Sequence, residues 1–167
     1  EVVAGITVGL WSAIRRYSFT DRLTTVATAA ASAVPIFVLG FLLQYATAVT
    51  PNKQNWPDFF QLRTSGLGPD EWFLFFIPMG EQWRYLILPA VTLACVSTAL
   101  AARMMRGSML EVVRSDFMRT ARSKGLSERA VVLRHGLRNA LIPVVTLIGI
   151  DFGTVIGSAV LTETVFS

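Results

Sequence analysis

Charge is what this sequence has least of. Only 16% of its 167 residues are charged, against roughly 25% in an average soluble domain. Two stretches, 23–52 and 85–102, carry no charge at all. An uncharged apolar run of about 18 residues or more is long enough to cross a bilayer as a helix. The scarcity therefore excludes a soluble globule and points to an integral membrane protein, in line with 53% hydrophobic residues and a mean hydropathy of +0.53. Cysteine is nearly absent too. Cys95 stands alone inside an apolar stretch, which excludes a disulfide framework and reads as a small packing residue. The one histidine, His135, sits among arginines with no second ligand-type residue near it, so it reads as a surface residue or local hydrogen-bonder. No Gly-x-x-x-x-Gly-Lys-Ser/Thr phosphate-binding loop occurs. No leader segment is visible. Glu1-Val2-Val3 runs straight into apolar sequence and Glu163–Ser167 stops without a terminating pattern, so the expectation is a fragment of a longer membrane chain.

The apolar residues 2–14 fall short of the about 20 that a span needs. They read as part of a truncated span at about 1–14. Fuller spans are expected at about 23–49, 84–102 and 139–161. Pro35, within the second, reads as a kink rather than a break, because neighbouring membrane helices can satisfy the freed carbonyl. Orientation follows from the basic residues, which favour the cytoplasmic side. Three lie in 15–22 (Arg15, Arg16, Arg22, opposed only by Asp21) and nine in 103–138, but only Lys53, Arg63 and Arg84 lie in or beside 50–83. The loop 50–83 is therefore expected outside and 103–138 in the cytoplasm. The outer loop holds eight large aromatics: Trp56, Phe59, Phe60, Trp72, Phe73, Phe75, Phe76 and Trp83. These suit the membrane interface or a docking surface for an external partner, and the two readings are compatible. Within it, Glu71–Pro78 is too short to cross and reads as an interfacial turn of helix.

The basic segment is the most structured of the connections. Leu110, Val113, Phe117 and Ala121 recur at helical spacing as one apolar stripe. Glu111 with Arg114 and Asp116 with Arg119 form i,i+3 pairs. Gly125 suits a helix C-terminus, Ser127 an N-cap, and Glu128 the first turn of a new helix. That helix carries Leu133, Leu137 and Leu141 on one face and runs into the last span. The result is helix, glycine turn, helix. A basic loop held at anionic lipid would explain the charge, but not the capped turn or the stripe.

Residues Arg119-Thr120-Ala121-Arg122-Ser123-Lys124-Gly125-Leu126-Ser127-Glu128-Arg129, continued by Arg134 to Pro143 (RHGLRNALIP), resemble the EAA loop of ABC importer permeases. The form is most similar to that of bacterial dipeptide, oligopeptide and nickel importers. Asp21-Arg22, the Trp83–Pro89 start of the third span and Glu163–Phe166 are similar as well. Arg119-Thr120-Ala121 stands where the general motif has Glu-Ala-Ala, so a glutamate contact does not carry over. The resemblance implies an all-α fold, a polytopic membrane helical bundle with a cytoplasmic helix–turn–helix coupling loop, making residues 1–167 a partial permease domain in the bacterial inner (cytoplasmic) membrane. It implies that Arg119, Thr120, Ala121, Arg122, Lys124, Gly125 and Leu126 couple the chain to a cytoplasmic ATPase. The remaining implied partners are a second permease subunit, an external solute-binding protein and membrane lipids. The chain itself would be no enzyme and carry no cofactor, with ATP and magnesium on the partner ATPase. The implied cargo is di- or oligopeptides. Nickel or another small solute is the alternative, and a channel, a secondary transporter or a non-transporting scaffold stands further off. A nucleic-acid role is disfavoured, because the basic stripe is pressed to the bilayer between two spans.

Two features remain in the last span. Gly149, Gly153 and Gly157 form a small-residue ridge of the kind that lets helices approach closely; it would pack within this subunit or against the partner permease. Asp151 lies near mid-span, where a charge must face a cavity or a partner. It would line the translocation path or meet a structural polar partner.

Overall fold

A computed structural model describes residues 1–49, 72–73, 77–78 and 83–166. The order is α1 (Val2–Ile14), α2 (Phe19–Ala33), α3 (Ile36–Val49), β1 (Trp72–Phe73), β2 (Ile77–Pro78), α4 (Trp83–Val113), α5 (Asp116–Ser123), α6 (Glu128–Ala130), a π-helical segment Val131–Gly136, and α7 (Leu137–Phe166). Among the described residues the fold is all-α apart from one short antiparallel ladder, in which Trp72 pairs with Pro78 and Phe73 with Ile77. Of the stretch 71–78, expected as a turn of helix, residues 72–73 and 77–78 are strand and the rest lies outside the described residues. The aromatics Trp56, Phe59, Phe60, Phe75 and Phe76 lie outside the described residues.

By length and composition, Tyr85–Val113 and Glu128–Val165 can each cross a membrane. A third crossing is possible if α2 and α3 count as one broken span. That break corrects the expected kink. Proline restrains the residue before it away from helical dihedrals, and the helix stops at Ala33 and restarts at Ile36 around Pro35. Pro89 and Pro143, by contrast, sit inside continuous helices.

The chain divides into two compact units. One comprises residues 1–33 and 96–154, the other 34–95 and 155–167. In the first, α1 lies backbone-close against α4. A Cβ placed on Gly5 would come within 2.6 Å of Ala101 Cβ, and one on Gly9 would strike the Ala102 carbonyl and Met105. Ala13, Met105, Met109, Ala140 and Val144 form the core there. Ser108 Oγ donates to the Ala140 carbonyl at 2.9 Å, stitching α4 to α7. In the second unit, Leu88 and Thr92 are buried on α4, with Thr92 Oγ1 returned to the Leu88 carbonyl at 2.8 Å. Cys95 is exposed among the described residues, not packed as expected.

Candidate functional site

The expected helix–turn–helix forms, and its bonds show why. The long α4 ends at Val113. Ser115 Oγ turns back to the Val112 carbonyl at 2.6 Å, and α5 starts from the extended backbone of Ser115. At the far end of α5 the Gly125 N–H reaches the Arg122 carbonyl at 2.9 Å with φ +74, a left-handed conformation that glycine adopts without a Cβ penalty. Ser127 then caps the next helix, its hydroxyl accepting from the Ala130 N–H at 3.4 Å. Arg122 closes the turn. Its Nε and Nη2 reach the two Glu128 oxygens at 3.1 and 3.0 Å, and Nη1 reaches the Val113 carbonyl at 3.4 Å. This fork holds the Glu128 carboxyl below its ordinary pKa.

Helix α5 has two distinct faces. Met118 is fully buried and Ala121 nearly so, packed with Val131 and, at the edges, Val112 and Val113. Asp116, Phe117, Arg119, Thr120, Lys124 and Leu126 are exposed, with Arg119 only loosely paired to Asp116 at 3.8 Å. Of the seven residues expected to couple, Arg119, Thr120, Lys124 and Leu126 therefore face outward, Gly125 shapes the turn, and Ala121 and Arg122 point into it. The single stripe expected through Leu110, Val113, Phe117 and Ala121 does not exist. The break at Arg114–Ser115 rotates the chain so that Met118, not Phe117, continues the buried side. Glu111 and Arg114, beside that break, form no ion pair with each other, whereas Asp116–Arg119 does pair.

Beyond α6 the backbone widens. The Leu137 N–H bonds the Val132 carbonyl, five residues back, and such π segments recur at functional sites. Gly136 is buried here, and a Cβ on it would meet the thioether tips of Met109 at 2.8 Å and Met118 at 3.1 Å. The extra residue per turn separates Leu133, which is exposed, from Leu137 and Leu141, which pack on the core. The three do not share a face as expected. His135 is half-buried, and its carbonyl accepts from Asn139 Nδ2 at 2.7 Å.

A second polar structure was not legible in the sequence. Asp21, in the first turn of α2 ahead of its apolar run, is 2% exposed. Its Oδ1 accepts from Ser12 Oγ and, at 2.7 Å, from Arg106 Nε; its Oδ2 accepts from Arg106 Nη2 and the Tyr17 N–H, each at 2.9 Å. The Arg106 guanidinium, with help from Ser12 and Tyr17, outweighs burial and holds this carboxyl far below the usual carboxylate range. Tyr17 takes φ +65 to present its N–H. The available signals were a lone acid among Arg15, Arg16 and Arg22 and the family likeness of Asp21-Arg22; neither names Arg106 as the partner.

The last-span residues are placed as follows. Asp151 is half-buried beside Ser97, Leu100 and Ala101 of α4, and Thr154 Oγ1 donates to its Oδ1 at 3.2 Å. A Cβ on Gly149, Gly153 or Gly157 would meet nothing within 4 Å, so the ridge has no packing partner among the described residues. Exposed apolar side chains continue along the same helix, among them Val145, Ile150, Phe152 and Ile156. No described group of three or more His, Cys, Asp or Glu could hold a metal ion.

Comparison with known proteins accords with this architecture. Residues 5–167 match the family described as "Binding-protein-dependent transport system inner membrane component". A "Probable peptide ABC transporter permease protein" of Sinorhizobium fredii is 40% identical over 167 residues, covering 100% of this chain and 49% of that protein. Glutathione transport system permease proteins of Pectobacterium atrosepticum and Escherichia coli are each 37% identical over 166 residues, covering 99% of this chain and 47% of theirs. The chain thus spans about half the length of the curated relatives it matches. On a match this extensive, carried by membrane-length helices flanking a capped helix–turn–helix, the chain belongs to the inner-membrane permease family of binding-protein-dependent ABC transport systems.

Proposed function

We propose that this chain is part of the permease subunit of an ATP-driven importer that takes up di- or oligopeptides delivered by an external solute-binding protein. The observation that carries the proposal is the braced turn. Its inner half, Met118, Ala121, Arg122, Gly125 and Glu128, is fixed by packing and bonds. Its outer half presents Phe117 and Leu126, 45% and 43% exposed, among Arg119, Thr120 and Lys124. An apolar pair ringed by cations suits a groove on another protein, and α4 and α7, which leave the turn on either side, are long enough to span. Energy passes between distant sites through packed elements that have discrete arrangements.

In this reading the outer half docks on a cytoplasmic ATPase that holds the ATP and magnesium. Nucleotide-driven closure there tilts the spans, giving alternating access around a central path. The open ridge of Gly149, Gly153 and Gly157 is assigned to the second permease subunit, and Asp151 to the path. The peptide cargo draws on the peptide and glutathione systems named among the relatives; nickel is the alternative.

The test uses the assembled transporter in vesicles. A photo-crosslinker at Phe117 or Lys124 is expected to capture the ATPase subunit, and Gly125→Pro to abolish uptake while the chain still inserts. Labelled dipeptide is expected to outcompete nickel. Crosslinks to lipid alone throughout turnover would overturn the assignment.

A further inference from the structure

Asp21 is buried against a half-buried Arg106 near the inner end of α4, seven residues before that helix ends. Replacing a buried ion pair by apolar side chains is often neutral or stabilising, so stability alone gives little reason for one here. Its geometry offers another. The α1–α4 contact through Gly5 and Gly9 meets Ala101, Ala102 and Met105, a largely apolar surface; the other polar ties to α4 are single and exposed, Thr98 Oγ1 to the Glu1 carbonyl at 3.5 Å and Arg103 Nη2 to Ser32 Oγ at 2.8 Å. The bidentate fork of Arg106 fixes register, because two parallel hydrogen bonds resist both sliding and rotation. Ser12 attaches α1 to the same carboxylate, and the strained Tyr17 backbone attaches the α1–α2 turn. Strain of that kind persists only where the surroundings over-determine it.

We infer that Asp21 and Arg106 are a positioning pair for transport coupling: they clamp α1 and α2 to α4, so that displacement of α5 moves three helices as one body. Helix α7 is joined to the same turn through the π segment and the tips of Met109 and Met118, and to α4 by apolar packing and the Ser108–Ala140 hydrogen bond, a softer attachment than the carboxylate clamp. The inference rests on the transport reading above and adds the route by which the turn's motion reaches the spans.

The test uses the complete transporter in proteoliposomes, with Asp21→Asn and with Arg106→Lys. The first keeps shape and one acceptor; the second keeps charge and loses the fork. Spin labels at Val8 on α1 and Met104 on α4, both exposed, report the distance between the clamped helices. In the parent that distance is expected to be the same with and without nucleotide. In both variants it is expected to spread on nucleotide binding. Solute imported per nucleotide hydrolysed is expected to fall about tenfold, within the usual range of coupling energies, with hydrolysis retained. A merely structural role would lower hydrolysis and uptake together as assembled protein is lost, and that parallel loss in Arg106→Lys would overturn the inference. So would unchanged coupling in both variants, or a parent distance that changes as much as theirs. If Asp21→Asn does not assemble, Arg106→Lys decides alone. A parent complex that imports nothing with nucleotide would overturn the transport reading itself, an outcome distinct from failure confined to the variants.

Discussion

The two connections at the C-terminal end of α4 are made from different chemistry. On one side, α1 and α2 are held by a buried carboxylate with four donors, two of them from one bidentate arginine. On the other, the buried contact of α5 with the π segment before α7 is made by methionine side chains around a glycine, with the Arg122–Glu128 pair confined to the exposed rim of the turn. An ion pair has one geometry. A thioether has three rotatable bonds and fills irregular space in many ways. In the proposed coupling role the two would act differently: a fixed side, so that displacement is not absorbed, and a compliant side, so that the rest of the chain can rearrange.

The contrast can be broken by substitution. Asp21→Ala should be the most damaging, because it leaves Arg106 partly buried without its partner. The expected loss is about 3–5 kcal/mol, read from unfolding in detergent. The same pair sets a pH dependence. Because the native Asp21 pKa is depressed, its contribution is complete above the unfolded carboxylate value of about 4 and fades as pH falls toward the native one. Acid titration of the parent should therefore lose stability below about pH 4, and Asp21→Asn should flatten that limb. Met118→Ala should cost about 2 kcal/mol, the low end for a buried methionine, because Met109 can move into the space. Gly125→Ala forces a Cβ into a left-handed site and should cost about 1–2 kcal/mol, measured the same way. Gly136→Ala meets only the ends of flexible side chains and should stay within about 1 kcal/mol. If it instead matched Asp21→Ala, the methionine socket would be rigid and the contrast would fail. Arg122→Ala, at an exposed pair, should also fall within about 1 kcal/mol, while loosening the turn as seen by faster amide exchange at Gly125.

What was legible in the sequence was local. Gly125 and Ser127 announce a turn and a cap because a left-handed residue and an N-cap are each set within a few positions. The uncharged runs announce membrane-length helices for the same reason. Periodicity failed where the helix changed its step. One break at Arg114–Ser115 exchanges Phe117 for Met118 on the buried side, and one five-residue hydrogen bond separates Leu133 from Leu137. Pro35 was read by the general tolerance of membrane helices and breaks its helix all the same. The Asp21–Arg106 pair joins residues 85 positions apart, which no window along the chain can see. Gly5 and Gly9 went unremarked beside the conspicuous ridge in α7, yet they, unlike the ridge, lie backbone-close to a neighbouring helix.

The division of α5 into inner and outer faces has a practical side. Asp116, Phe117, Thr120, Lys124 and Leu126 can be rewritten while Met118, Ala121, Arg122, Gly125, Ser127 and Glu128 keep the bend intact. A designer wishing to redirect this loop toward a foreign binder needs only a handful of solvent-side changes, with the fold left to look after itself.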